Sequence, residues 1–378
     1  MPHPGWCSEV LFWHLKSFAF VGNGDFFFPL RLFFHYFYKP TLLTSLIVNK
    51  IYLIKDAKSI KYEEILEREL RKNFKSGMSV AVKLHMGEDK GMFSPGLAKR
   101  AAILLTKIGC KPFLFDTPVT YPGGRHTKED YQKTAALHGF SQERMGCPVI
   151  ISNEYVNVKT EHMDVEVSKH LAESDGLLVL THFKGHGCSG IGGAIKNIAM
   201  GCVSPKSKAD QHEMGLPCVN QEDCTACGLC ADVCPFSAIK VEDKAVINSD
   251  ACGGCTTCVY NCPNNSITSN VSFDLLLAEA ASAALKSIAN KPVFYVNDVR
   301  NITENCDCFR NPGKQIAKDV GVFLGDDIVS IEMASVDAVI NQEKSNVFEE
   351  AHHHDPYLHI KEAQKLGLGS EDYELETV

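Results

Sequence analysis

Sulfur carries the most specific chemistry in this chain. Cys224-x2-Cys227-x2-Cys230-x3-Cys234-Pro235 recurs 28 residues later as Cys252-x2-Cys255-x2-Cys258-x3-Cys262-Pro263. Ile239 and Ile267 keep the same offset after each proline, so the segment is an internal duplication. Three cysteines at two-residue intervals lie on a tight turn, where their thiolates can converge on three irons of one cube. The fourth iron needs a sulfur from elsewhere, and in doubled runs of this spacing it comes from the opposite half. One 4Fe-4S cluster would take Cys224, Cys227, Cys230 and Cys262. The other would take Cys252, Cys255, Cys258 and Cys234. Gly228, Gly253 and Gly254 suit the tight backbone, and Pro235 and Pro263 redirect the chain after the last ligand.

This spacing is that of two-cluster bacterial ferredoxins. Zinc ribbons use two Cys-x2-Cys pairs without the trailing proline, and a disulfide framework needs a secreted context that nothing here advertises. Segment 216–270 carries six acids and two bases, which favours a low reduction potential. Two neighbouring clusters make a relay, whereas a structural staple needs only one. Thiolate-held clusters also point to the cytoplasm, of an anaerobe.

A second set of chemical residues follows an apolar strand. Thr181-His182-Phe183-Lys184-Gly185-His186-Gly187-Cys188-Ser189-Gly190-Ile191-Gly192-Gly193-Ala194-Ile195-Lys196-Asn197 is a glycine-rich loop that opens a helix. In a parallel sheet, ligands bind at the carboxyl ends of strands. Loop amides at Gly190, Gly192 and Gly193, with the helix amino terminus, favour a small anion, and Lys184 and Lys196 add positive charge. His182, His186 and His212 can move protons or bind metal. The loop is neither a P-loop nor a dinucleotide fingerprint. The rival reading is a structural turn with solvated lysines and satisfied histidines.

Lys83-Leu84-His85-Met86-Gly87-Glu88 ends another strand, with Lys83 and His85 on one face. Asp116 ends a third strand. If these strands are neighbours, Lys83, His85, Asp116, His182 and Lys184 line one cleft. Cys306-Asp307-Cys308 suits a soft metal, a redox pair or ordinary buried thiols. His352-His353-His354-Asp355 reads as a solvated loop rather than a metal site.

Around these motifs, strands alternate with helices. Strands are expected at Ile51–Ile54, 78–84, 112–115, 149–152, 176–181, 293–296 and 320–324. Helices are expected at 61–74, 95–108, 193–200, 273–288 and 328–340. Alternation implies crossovers and a largely parallel, buried sheet, hence an α/β fold. Residues 216–270 interrupt it as an inserted α+β ferredoxin-like domain between α/β parts 48–215 and 271–378. Residues 1–47 look foreign, with 9 of the 21 Phe and both Trp in non-periodic clumps. They suit a membrane-surface segment, a packed accessory segment or, the reading preferred, an upstream extension from a start codon placed too early. The chain has 378 residues, enough for about two domains. Its net charge of −8 argues against duplex-DNA binding, and no apolar run is long enough for a stable membrane span.

From residue 48 onward the sequence resembles the iron–sulfur proteins of domain-of-unknown-function family 362. The resemblance rests on Lys83–Glu88, on His182–Gly201, on the doubled cysteine motif, on Cys306-Asp307-Cys308 and on Leu366-Gly367-Leu368-Gly369-Ser370. It implies an α/β domain with a ferredoxin-like insert in anaerobic bacteria and archaea, and brings no assigned reaction. Members usually carry Asp-Pro and Ala-Ile-Asp where this chain has Asp327-Ile328 and Ser330-Ile331-Glu332. A more distant similarity is to lactate-racemase-type domains. The leading expectation is an oxidoreductase in which a partner protein's electrons pass through both clusters to a small anion held by Lys184, Lys196 and the loop amides. The rivals are a non-enzymatic electron carrier and a non-redox, isomerase-like enzyme with clusters as scaffold.

Overall fold

A computed structural model describes residues 48–88, 91–309 and 311–378, so the readings made for residues 1–47 lie outside the described residues. The central strand Gly176–His182 is an apolar run buried along almost its whole length. A strand buried on both faces must be covered by helices on both sides. Odd and even residues do divide that way. Leu178 and Leu180 join Val80, Val82, Val296 and Leu324 in a core under the helices Ile60–Asn73 and Pro95–Lys107. Leu177 and Val179 join Ala81, Tyr295 and Phe323 in a second core under the helices Phe273–Lys286 and Ile328–Glu343.

The sheet has eight strands in the order Tyr373–Thr377, Asn49–Ile54, Gly321–Gly325, Val293–Val299, Gly176–His182, Ser79–Lys83, Lys111–Asp116, Val149–Ile151. Every neighbouring pair is parallel except those made by Gly321–Gly325, which runs against both its neighbours. The chain is thus a mixed α/β protein with a mostly parallel sheet. The reversed strand has a simple cause. Among the described residues between Val299 and Gly321 the chain makes only the hairpin Ile302–Thr303 with Gln315–Ala317, with no crossover helix to carry it back. The edge strand Tyr373–Thr377 was not expected, because its sequence alternates acids with single apolar residues.

Helix starts follow their caps. The Ser59, Ser94 and Ser272 hydroxyls each accept an N–H from three residues on. Phe273–Lys286 is rich in Ala and Leu and is buried along most of its length. Its small side chains let the helix Ala194–Gly201 pack closely against it.

The cysteine segment enters and leaves at adjacent points, where Pro217–Val219 pairs antiparallel with Ile267–Ser269. A second hairpin pairs Ile239–Val241 with Ala245–Ile247, and two single-turn helices span Leu229–Asp232 and Thr257–Tyr260. The segment is tied to the sheet domain where His212 Nδ1 meets the Gly253 carbonyl at 2.8 Å, and where Thr257 Oγ1 meets His354 Nδ1 at 3.0 Å. Among the described residues no helix is long and apolar enough to cross a membrane.

Candidate functional site

The strands ending in Lys83, Asp116 and His182 are neighbours, and a cavity of about 470 Å³ lies at their carboxyl ends. Lys83, His85, Asp116, His182, His186, Gly192, Gly193 and Lys196 all line it. Two residues expected at the site do not. Lys184 is buried in an ion pair with Asp307. Gly190, at φ +68°, makes the turn of the hairpin Lys184–His186 with Gly190–Gly192 and backs onto Pro356.

Charges at the cavity are paired with one group of exceptions. Lys83 Nζ lies 3.1 Å from Asp116 Oδ1 and donates to Asn197 Oδ1 at 2.7 Å. Asp116 also accepts from Tyr131 and from the Thr117 N–H. Burial works against its ionisation, but the Lys83 ammonium beside it outweighs burial and holds the carboxyl below its usual range. Arg125 Nε pairs with Glu88 at 2.5 Å. Its Nη1 reaches His85 Nδ1 at 3.3 Å, so that Nδ1 accepts and Nε2–H donates to the Asp307 carbonyl at 3.1 Å. Burial, then Arg125, lowers the His85 pKa and keeps the ring neutral.

Lys196 and Lys208 are the exceptions. Lys196 has no hydrogen-bond or ion-pair partner among the described residues, and burial pushes its pKa down to about 8. Lys208 Nζ donates to Thr117 Oγ1 at 2.7 Å and to backbone carbonyls, with no carboxylate bonded to it among the described residues. Burial lowers it to about 7 against the pull of Asp116. The cavity therefore holds two ammonium groups without a bonded carboxylate, which is the chemistry of an anion site.

The helix amino terminus does not serve that role as expected. The Ala194 N–H donates to Glu332 Oε2 at 2.7 Å, and a Cβ at Gly193 would stand 2.1 Å from Glu332 Oε1. A resident carboxylate already occupies the positive end of the helix, so an incoming anion is left to the lysines.

Asp307 organises the opposite wall. It takes Lys184 on Oδ1 and His182 Nδ1 on Oδ2 at 2.9 Å. His182 Nε2 meets the Arg300 carbonyl at 3.0 Å, an arrangement satisfied by two ring N–H groups. Burial opposes the Asp307 charge, but His182 and Lys184 hold the carboxyl below its usual range. With Asp307 drawn inward, Cys306 and Cys308 face the cavity, joined as a disulfide. His186 Nδ1 accepts the Cys188 N–H at 3.0 Å, which puts its proton on Nε2, 3.7 Å from Cys308 Sγ.

Sequence reading missed Arg125, Tyr131, Lys208 and the carboxylate of Asp307 as a clamp. Asn197 ended the glycine stretch and offered a signal. The others are single polar residues that only tertiary packing brings to the cavity. The histidine run at 352–354 is not the solvated loop expected. His352 and His354 are buried, with His352 Nε2 on the Glu304 carbonyl at 2.6 Å and His354 Nε2 on Asp274 at 3.2 Å.

The duplicated cysteine motif repeats in its backbone. Positive φ occurs at Ala226, Gly228 and Ser237, and again 28 residues on at Gly254, Thr256 and Asn265. Non-glycine residues adopt this region rarely, so matching triples mark two copies of one ligand cradle. Cys224, Cys227, Cys230 and Cys262 line one small void. Cys234 neighbours Cys252 and Cys258 across the duplication. Backbone N–H groups also point at sulfur, Ala245 at Cys224 and Ala238 at Cys234. The residues present fit iron–sulfur ligation. The second set abuts the cavity, because Cys188 lies against Cys255 and both Cys188 and Phe236 form cavity wall.

Fold and site define an α/β protein with a ferredoxin-like cysteine segment beside a cationic cavity. Residues 80–337 match the family described as Domain of unknown function (DUF362), and the chain belongs to that family. An uncharacterized ferredoxin of Methanocaldococcus jannaschii is 51% identical over 43 residues, which is 11% of this chain and 25% of that protein. The chain thus spans about a quarter of that relative's length. The lactate racemase apoprotein of Thermoanaerobacterium thermosaccharolyticum aligns at 13% identity and TM-score 0.34, over 67% of this chain and 51% of that one. A Thermotoga maritima protein aligns at 11% identity and TM-score 0.38, over 75% of this chain and 59% of that one.

Removing the Asp307 carboxylate leaves the Lys184 ammonium buried and alone. Asp307→Ala is expected to cost about 3–5 kcal/mol, read as a lower midpoint in anaerobic urea unfolding, with Asp307→Asn costing less. An unchanged midpoint for Asp307→Ala would show that the clamp does not hold the wall.

Proposed function

We propose that this chain is a two-cluster iron–sulfur protein that exchanges electrons between a redox partner protein and a small anion held in the cavity, acting as an oxidoreductase. The observation that carries the reading is the shared wall. Cys188 and Phe236 line the cavity beside the second cysteine set, and the same cavity holds Lys196 and Lys208 without bonded carboxylates.

Cys224, Cys227, Cys230 and Cys262 would hold one 4Fe-4S cluster, and Cys252, Cys255, Cys258 and Cys234 the other. Bound clusters supply one-electron transfer. The chain's own residues do the rest. Lys196 and Lys208 attract and orient the anion, and Lys83 holds Asp116 charged and away from it. Both lysines carry acidic protons near neutral pH, so they can also supply protons as electrons arrive. The exposed Cys227 and Leu229 mark the side of the first set open to a partner protein. Such thiolate chemistry fits a reducing, cytoplasmic setting.

Anaerobically prepared protein is expected to hold about eight irons. Cys234→Ser should disturb the cavity-side cluster although it lies in the first motif, and Cys262→Ser the outer one, each seen by electron paramagnetic resonance of the reduced protein. Iron well short of this number, or damage confined to the motif that carries the mutation, contradicts the crossed arrangement.

Anion binding should depend on pH through Lys196. Its lowered pKa means that the ammonium is present below about pH 8 and lost above. Affinity for a screened oxyanion or carboxylate should therefore fall as pH rises through that value. Lys196→Met should weaken binding about tenfold or more below pH 8 and flatten the profile. Calorimetry between pH 6 and 9 checks this, and a pH-independent affinity in the unmutated protein would remove the lysine from the role. Ligand conversion that persists with the clusters held oxidised would favour the isomerase-like rival.

A further inference from the structure

Cys306-Asp307-Cys308 takes no part in cluster ligation, yet its two sulfurs face the cavity. Three readings were open for this motif, and the geometry separates them. A buried inert pair is excluded by placement, since both cysteines are half-buried on the cavity wall. A metal site would use His186, whose ring lies with the two sulfurs within 4.8 Å. Metal would need the lone pair of Nε2, the nitrogen nearest Cys308. The Cys188 N–H already points at Nδ1 at 3.0 Å, which fixes the proton on Nε2. His186 therefore presents a donor to sulfur, not a lone pair to a metal.

We propose that Cys306 and Cys308 form a reversible two-electron dithiol–disulfide couple that stores electrons in the cavity next to the second cysteine set. The inference rests on the electron-transfer reading above and adds to it an acceptor made by the chain itself. In the reduction, the S–S bond breaks as it takes two electrons and two protons, giving two thiols. The electrons come one at a time from one-electron iron–sulfur carriers, and the protons from solvent through the cavity. Oxidation reverses each step.

The surroundings suit both states. The Asp307 clamp fixes the loop, so the two sulfurs stay in bonding reach when the bond opens. After reduction each sulfur keeps a donor. The Cys308 N–H points at Cys306 Sγ at 3.3 Å, and His186 Nε2–H points at Cys308 Sγ at 3.7 Å. Lys196 Cδ and Cys306 Cβ both approach Gly192, so the lysine side chain shares this wall with the pair. The Cys188 backbone touches the His186 ring while its side chain lies against Cys255. The couple and the cysteine segment are thus joined through one short stretch of chain.

The test uses iron-loaded protein held anaerobically at set potentials with viologen mediators, which pass electrons singly. Alkylation and peptide mass spectrometry then score Cys306 and Cys308. Both cysteines should switch together from protected to labelled as the potential falls, with two electrons per transition. His186→Phe should lower the ratio of dithiol to disulfide about tenfold at a fixed potential, a shift of about 30 mV for a two-electron couple. Its iron content should be unchanged. Cys308→Ser should abolish the transition and leave Cys306 always labelled. Cysteines that stay labelled at every potential, or that are protected by a stoichiometric bound metal, overturn the couple. Full iron and intact anion binding in that case leave the electron-transfer reading standing, whereas absent iron brings down both.

Discussion

The architecture of the site depends on the buried carboxylate of Asp307. An ionised carboxyl out of water is costly unless its partners are close and well placed. Here Lys184 comes from the hairpin that follows the central strand and His182 from the end of that strand. His85 reaches the same residue through its carbonyl from the neighbouring strand end. One side chain thus ties a long excursion between Val299 and Gly321 to the sheet. Among its described residues the excursion has no helix. Without that tie its only regular pairing is the short hairpin at Ile302 and Gln315. The same tie anchors the tight turn that presents Cys306 and Cys308 to the cavity, a turn closed by the Phe309 N–H on the Cys306 carbonyl at 3.0 Å. Lys184, expected to touch ligand, therefore acts one step back, as a positioning residue.

The cysteine segment solves a different constraint. Four-residue helices and three-residue strands cannot build a core of useful size, and half of the buried residues in this segment's own apolar cluster are cysteine. Its order must come from ligation and from backbone geometry. Left-handed residues at matched positions in both halves are the visible part of that geometry. Each carries a conformational cost for a residue with a Cβ, and Ala226, Ser237, Thr256 and Asn265 all bear it. A fold retains such strain where the surrounding structure over-determines it, and converging thiolates with their N–H donors do so here.

Much of the sheet was legible because a strand covered on both faces must read as a continuous apolar run, as at Gly176–His182. Helix faces were legible for the same reason, as with Ile65, Leu66 and Leu70 on Ile60–Asn73. Strand direction was not, because apolarity carries no sign. The missing crossover helix before Gly321 was the available clue. Tyr373–Thr377 was illegible because an edge strand needs charge rather than apolarity to stay unpaired on its outer side. At the site, residues at strand ends were legible, since topology alone brings Lys83, Asp116 and His182 together. Arg125 and Lys208 were not, for each reaches the cavity from a segment whose local pattern says nothing about where it packs. The largest departure was the helix amino terminus at Ala194. A sequence can show that an anion is wanted there, but not that Glu332, 138 positions on, supplies it.

That departure changes how an anion can be bound. With the helix terminus neutralised by Glu332, attraction falls to two buried ammonium groups whose charge is itself marginal near neutral pH. Burial disfavours their protonated forms, and an anion beside them reverses that preference. Binding and proton uptake are then linked, since whatever raises the lysines' proton affinity is in turn bound more tightly by the protonated site. Under the proposed electron-transfer role this linkage has a use. An anion gaining electrons becomes a stronger base, and the protons it needs already sit on the groups that hold it. A guanidinium in place of either lysine would bind the anion at any ordinary pH but would keep its protons. Lysines made weakly basic by burial can both attract the anion and give up a proton to it.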